Sequence, residues 1–147
     1  MKWEAAAGSS GPAFLAYRSA NTATVNGVWT KTPFNAESFD TDNCFDSTTN
    51  YRFTPNKSGY YSINTQVLLT ISPVKWAQMR LYFNGNIVRN TINDSQDGAQ
   101  AMKMSTLIYM NGSSDYLEVY YYIEGTGEVN GNSTNFPTWF DGVWIRS

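Results

Sequence analysis

Apolar and polar positions alternate along most of this chain at a period of two, the mark of a half-buried strand. Tyr61, Ile63, Thr65, Val67, Leu69 and Ile71 make one face of a stretch whose other face is Tyr60, Ser62, Asn64, Gln66, Leu68 and Thr70. The first set reads as the core face. Met79, Leu81 and Phe83 alternate with Gln78, Arg80 and Tyr82 in a second strand. Asn84-Gly85 follows, a dipeptide that supplies the two left-handed residues of a type I′ turn, so residues 78–84 and 86–91 are expected to form a hairpin. A polar loop is expected over 92–99, a strand over 101–110, a turn over 111–114 and a strand over 115–124. Residues 125–137, rich in Gly and Asn, read as a loop before a closing strand at 138–146.

Residues 39–61 place aromatics among small turn formers. Phe39, Phe45, Tyr51, Phe53, Tyr60 and Tyr61 read as buried, and Asp40, Asp42, Asn43, Asp46, Ser47, Asn50, Asn56 and Ser58 as turn formers. Short strands separated by tight turns produce this order. Residues 1–12 are small and polar apart from Trp3, and read as an arm or linker ahead of a single domain at 13–147. A chain of 147 residues suits one core.

The strand at 115–124 has an ordinary core face in Leu117, Val119, Tyr121 and Ile123. Its opposite face is Tyr116, Glu118, Tyr120 and Tyr122. Three tyrosines on what should be a solvent face call for a cover, either a subunit or a ligand.

Composition narrows the chemistry. Ten Tyr, eight Phe and five Trp suit sheets, interfaces and sugar-binding surfaces, and the net charge of −2 comes with no basic stripe for nucleic acid. No run is apolar and long enough to span a membrane, and residues 1–10 lack the apolar core of a signal peptide. Cys44 is the sole cysteine, which rules out an internal disulfide. The chain has no His, so Ser-His-Asp and Cys-His catalysis are excluded. Glu118 and Glu124 share a strand face at roughly 20 Å, about 3.3 Å per residue, too far apart for the carboxylate pair of a glycosidase. Asp40, Asp42 and Asp46 lack the turn Gly and terminal Glu of an EF-hand and read as Asx turns, so no metal or cofactor is expected. The four Asn-x-Ser/Thr sequons at Asn56, Asn93, Asn111 and Asn132 read as turn composition.

Five motifs stand in a recognisable order. They are Pro12-Ala13-Phe14 at the start; Phe39-Asp40, Asn43 and Phe45-Asp46; Tyr51-x-Phe53-Thr54-x-x-x-x-Gly59-Tyr60-Tyr61; Arg80-Leu81-Tyr82-Phe83-Asn84-Gly85; and Phe140-Asp141-Gly142-Val143-Trp144-Ile145 at the end. Residues 107–119, with Asn111-Gly112 and Asp115, are similar to a hairpin that carries two residues fewer. This series resembles the globular head of complement C1q, within the tumour necrosis factor-like superfamily, and is closest in character to phage and environmental members. No Gly-X-Y tract precedes the domain. The resemblance implies an all-β jelly-roll sandwich of about ten strands packed as a homotrimer. It favours a subunit as the cover for Tyr116, Tyr120 and Tyr122, with Tyr60 and Leu68 joining that interface.

The loop at 130–135 with Phe136 and Trp139 sets Asn, Ser and Gly beside aromatics, a texture suited to stacking and hydrogen bonding with sugars. Asn132, Asn135, Phe136 and Trp139 are therefore candidate ligand contacts, and Trp76 is a further one. The expected function is a non-enzymatic trimeric binding module on the extracellular surface of a phage virion, in a tail or head fibre or tip, contacting host glycans. The alternatives are a structural decoration protein anchored to other virion proteins through residues 1–12, and a polysaccharide-degrading enzyme.

Overall fold

The computed structural model describes residues 10–94 and 98–147, and all regular structure in them is β. The early strands are short: β1 (Ala13–Tyr17), β2 (Ala20–Ala23), β3 (Thr30–Lys31), β4 (Ala36–Asp40), β5 (Phe45–Asp46) and β6 (Arg52–Phe53). The later ones are longer: β7 (Gly59–Phe83), β8 (Asn86–Asp94), β9 (Gly98–Met110), β10 (Leu117–Asn132) and β11 (Trp139–Arg146).

The two strands read between residues 60 and 83 are one 25-residue strand, β7. Its first half lies between β9 and β11. Its second half lies between β8 and β10. Two layers result. One is ordered β4-β1-β11-β7-β9 and the other β5-β6-β10-β7-β8, with β2 and β3 also on the free edge of β10. This is a jelly-roll sandwich closed on itself through β7.

Aromatic rings from both layers meet in the middle. Phe14 of β1 stacks on Phe53 of β6 at 4.4 Å and on Phe45 of β5 at 5.0 Å, and meets Phe140 of β11 edge-on at 5.1 Å. Tyr61, Ile63, Val67, Leu69 and Ile71 of β7 face the same core, as do Leu117, Val119, Tyr121 and Ile123 of β10. Gly142 makes room for this arrangement, since a Cβ there would sit 2.7 Å from Phe14 and 2.8 Å from Ile63. The hairpin turn forms as expected, with Asn84 and Gly85 at φ 50° and 78°.

Several expectations are corrected. The stretch 125–132 is strand, not loop, because β10 continues to Asn132. Gly125 and Gly127 sit where the β7–β10 register shifts, and a Cβ at either would strike β7 backbone, so these glycines mark bulges rather than a chain break. The loop at 92–99 shrinks because β8 runs to Asp94 and β9 begins at Gly98; residues 95–97 lie outside the described ones. Phe39 and Tyr60, expected inside, are each 48 % exposed. Tyr60 precedes the buried Tyr61, so the pleat turns it outward. Of the arm at 1–12, residues 1–9 with Trp3 lie outside the described residues; Ser10 accepts a hydrogen bond through its carbonyl from Lys57 Nζ.

Phe53→Ala is expected to cost about 3–5 kcal/mol, because the void would open between the Phe14 and Tyr61 rings, which are held by their own strands. Urea denaturation at fixed protein concentration checks this, and a cost below about 1 kcal/mol would show that the ring stack is not the core's centre.

Candidate functional site

The tyrosine face of β10 is covered from within the chain. Arg52 lies 4.5 Å over the Tyr116 ring. Lys31 Nζ donates to Glu118 Oε1 at 2.5 Å and to the Asn50 carbonyl at 3.0 Å, and sits 5.7 Å from the Tyr120 ring. Tyr82 packs on Tyr120 at 4.8 Å. Arg80 lies 3.9 Å over Trp29, whose ring meets Tyr122 at 5.3 Å, while Trp76 approaches Tyr122 edge-on at 5.8 Å. Each ring keeps part of its area in solvent. Burial, and then the nearby Glu118, raise the pKa of the Tyr120 hydroxyl, so it stays a neutral donor. The cover over these tyrosines is thus an aromatic and cationic ladder contributed by β3, β6, β7 and the segment before β3.

Among the described residues, nothing comparable covers the outer face of the other layer. Val143, Ile145, Tyr60, Tyr109 and Leu107 are 46–64 % exposed and lie on β11, β7 and β9. The register sets Val143 opposite Ser62, Ser62 opposite Leu107, and Tyr60 opposite Tyr109, whose rings meet at 5.4 Å. Phe39 lies opposite Leu15 on the same face. Asp141, in the middle of this face, accepts a hydrogen bond from Asn64 Nδ2 at 2.9 Å, and burial pushes its carboxyl pKa up.

These positions divide the residues singled out from the sequence. Tyr116, Tyr120 and Tyr122 share one outer face, but Tyr60 and Leu68 lie on the opposite layer and do not join them. Asn135, Phe136 and Trp139 do come together. With Leu15 and Asp141 they line a depression of about 270 Å³, and Phe136, at φ 45°, packs on Tyr17 at 4.2 Å. Asn132 is not part of it, because its Oδ1 caps the Thr134 amide at 2.7 Å. Trp76 lies on the other layer, beside Tyr122. Sequence reasoning passed over Trp29 and Arg80, whose stacking depends on which strands become neighbours.

A depression of about 500 Å³ is lined by residues between Asn43 and Thr54 together with Glu37. Of its two carboxylates, Glu37 and Asp46, the second is already used. Asp46 accepts from the amides of Thr48, Thr49 and Asn50 and from Asn50 Nδ2 at 2.7–3.1 Å. Asp40 likewise accepts from the Phe45 amide at 2.7 Å. These are turn-closing bonds. Cys44 is buried beside them, its thiol 3.6 Å from the Asp42 carbonyl and its pKa raised by burial. Glu128 is held by Asn21 at 2.8 Å. No group of three His, Cys, Asp or Glu gathers among the described residues.

No protein-family model and no curated protein matches the chain. Solved structures do. Murine APRIL at pH 8.0 superposes with a TM-score of 0.70 at 9 % identity, over 91 % of this chain and 98 % of that one. Eiger TNF from S. frugiperda gives 0.70 at 8 % identity, over 95 % of each chain. The vertex protein P5 of PRD1 gives 0.65 at 14 % identity, over 95 % of this chain and 100 % of that one. At these identities the likeness establishes the fold, a TNF/C1q-like jelly roll.

The Asp46 turn generates a pH prediction. Its carboxyl lies well below the usual carboxylate range, held there first by the Thr49 amide and then by Thr48 and Asn50. A folded-state pKa depressed in this way stabilises the fold above the unfolded value of about 3.9, and the benefit is lost as pH falls through the folded value. Asp46→Asn is expected to lose about 1 kcal/mol at neutral pH, with the gap to the parent protein closing as the solution is acidified below about pH 4. Urea titrations across that range check it; a gap independent of pH contradicts it.

Proposed function

We propose that this chain is a non-enzymatic homotrimeric module of a phage virion, carried on a fibre or tip, that holds host surface glycans by binding alone. The observation that carries the trimer is the bare apolar row Val143, Ile145, Tyr60, Tyr109 and Leu107. A contiguous patch of this kind on a soluble domain marks an interface, and a closed ring of copies covers it without leaving sheet edges open. On this reading the subunit cover falls on the layer of Tyr60 rather than on the Tyr116, Tyr120 and Tyr122 face. A match to a vertex protein over nearly its whole length supports the virion setting.

Binding rather than turnover is supported by the state of the carboxylates. Glu118 is neutralised by Lys31, and Glu128 is engaged by Asn21. Neither is left as a free acid or base facing a second carboxylate. Three copies would present three equivalent sites, which raises avidity for a repeated surface sugar without tight single-site binding.

A second reading, decoration without a ligand, is favoured by the way the chain enters the domain. Gly11 lies against the Trp144 ring, and Lys57 holds Ser10 while its ammonium sits 3.8 Å from that same ring. These contacts anchor Ser10 and Gly11, where the described chain begins, on the domain. Removing residues 1–9 should abolish attachment to particles under this reading while the oligomer persists. Decoration by the truncated protein would exclude it.

Sedimentation equilibrium at micromolar concentration is expected to give three times the chain mass. Leu107→Lys should shift the protein to monomer with its β circular dichroism intact, whereas Tyr116→Ala on the other layer should leave the trimer in place. A monomeric parent protein at that concentration would contradict the proposal.

A further inference from the structure

The aromatic ladder ends in a cleft of about 400 Å³ lined by Asn26, Gly27, Pro73, Tyr122, Glu124 and Gly125. It lies between the segment before β3, the middle of β7 and the bulge in β10. Tyr122 is the aromatic lining residue, and Trp29 and Trp76 pack on its ring at 5.3 and 5.8 Å. The volume is in the range of small-molecule sites, and Tyr122 gives it an aromatic side backed by two indoles.

The walls are built, and their polar groups are left over. Gly125 has φ +144°, and a Cβ there would collide with the Pro73 carbonyl, so no side chain can intrude at that point. Gly27 is tied to β10 by its amide on the Ile123 carbonyl at 2.8 Å. Asn26 accepts the Gly125 amide through Oδ1 at 2.9 Å, which orients its Nδ2 as the free end of the side chain. Nδ2 itself donates to nothing among the described residues. Among the described residues Glu124 accepts only a long 3.4 Å bond, from the Tyr122 hydroxyl to Oε1, and its Oε2 accepts none. The indole Nε1 groups of Trp29 and Trp76 have no acceptor among the described residues either. An aromatic wall, a spare carboxylate and a spare amide donor therefore face one cleft.

We infer that this cleft is a pyranose-binding subsite: a neutral sugar ring stacks at the Tyr122, Trp29 and Trp76 edge while Glu124 accepts from, and Asn26 donates to, its hydroxyls. The pairing of groups selects the ligand class. Each sugar hydroxyl donates one bond and accepts another, which uses both the carboxylate and the amide. A cationic headgroup would satisfy Glu124 and the rings but leave the Asn26 donor unpaired. An anionic ligand would face Glu124 directly. The inference rests on the glycan-binding reading above and gives it a place, on the layer that a trimer formed through Val143, Leu107 and Tyr60 leaves open.

The probes are glucose, galactose, mannose and N-acetylglucosamine at millimolar concentrations, with choline chloride and glucuronate as the cationic and anionic comparisons. Binding is read by calorimetry and by the indole N–H resonances of Trp29 and Trp76. At least one neutral sugar is expected to saturate with a millimolar Kd and to move both resonances. Glu124→Ala should weaken it tenfold or more, Glu124→Gln, which keeps the side-chain volume, should weaken it less, and Trp139→Ala should leave it unchanged. Binding that survives Glu124→Ala but is lost in Trp139→Ala would overturn this site while leaving the glycan reading intact. Saturation by choline or glucuronate alone would overturn the ligand class. Silence from every neutral sugar would remove both the subsite and the glycan reading and leave decoration.

Discussion

Both layers of this domain are referred to one strand. β7 is hydrogen-bonded on both sides over most of its length, to β9 and β11 in one layer and to β8 and β10 in the other. Buried backbone groups must be paired, so the register of β7 dictates which side chains of four neighbours face inward. A slip by one residue would exchange Tyr61 for Tyr60 and expose the core face of the whole first layer. The ring stack of Phe14, Phe45, Phe53 and Phe140 locks that register by filling the space between layers with side chains from β1, β5, β6 and β11.

The same pleat produces two outer faces that differ in kind. On the second layer, strand neighbours bring Arg52, Lys31 and Arg80 over aromatic rings, so the chain dresses its own tyrosines. On the first layer the corresponding rows carry Val143, Leu107, Tyr60 and Tyr109, with no cation above them among the described residues. Apolar area that none of the described residues covers is the area available for association, at about 25 cal/mol per Å² removed from water. Aromatic area already shielded by guanidinium and ammonium groups has less to gain from a subunit. It remains suited to a ligand that enters at the ladder's open end.

The period-two pattern revealed the strands and their inward faces, because alternation is a local property. Tyr61 to Ile71 and Leu117 to Ile123 needed no tertiary information. The Asn84-Gly85 turn was legible for the same reason, since its chemistry lies in two residues. What could not be read was how the outward faces are shared out. Trp29 reaches Tyr122 across ninety-three positions of sequence, and Arg80 reaches Trp29 across fifty-one, contacts that only the strand order creates. For the same reason Tyr60 and Tyr120 looked equivalent although they occupy opposite layers. Gly125 and Gly127 misled in a more local way: glycine breaks a chain in one setting and admits a close backbone in another, and here the neighbour was β7.

Hydroxyl-radical footprinting of the assembled protein tests this division of faces most directly, because one experiment reads both at once. Tyr60 and Tyr109 should be protected in the concentrated protein and become reactive on dilution to monomer. Trp29 and Trp76 should react equally in both states and lose reactivity only when a sugar is added. Protection of Trp29, Trp76 and Tyr116 on assembly, with Tyr60 and Tyr109 reactive throughout, would contradict the account.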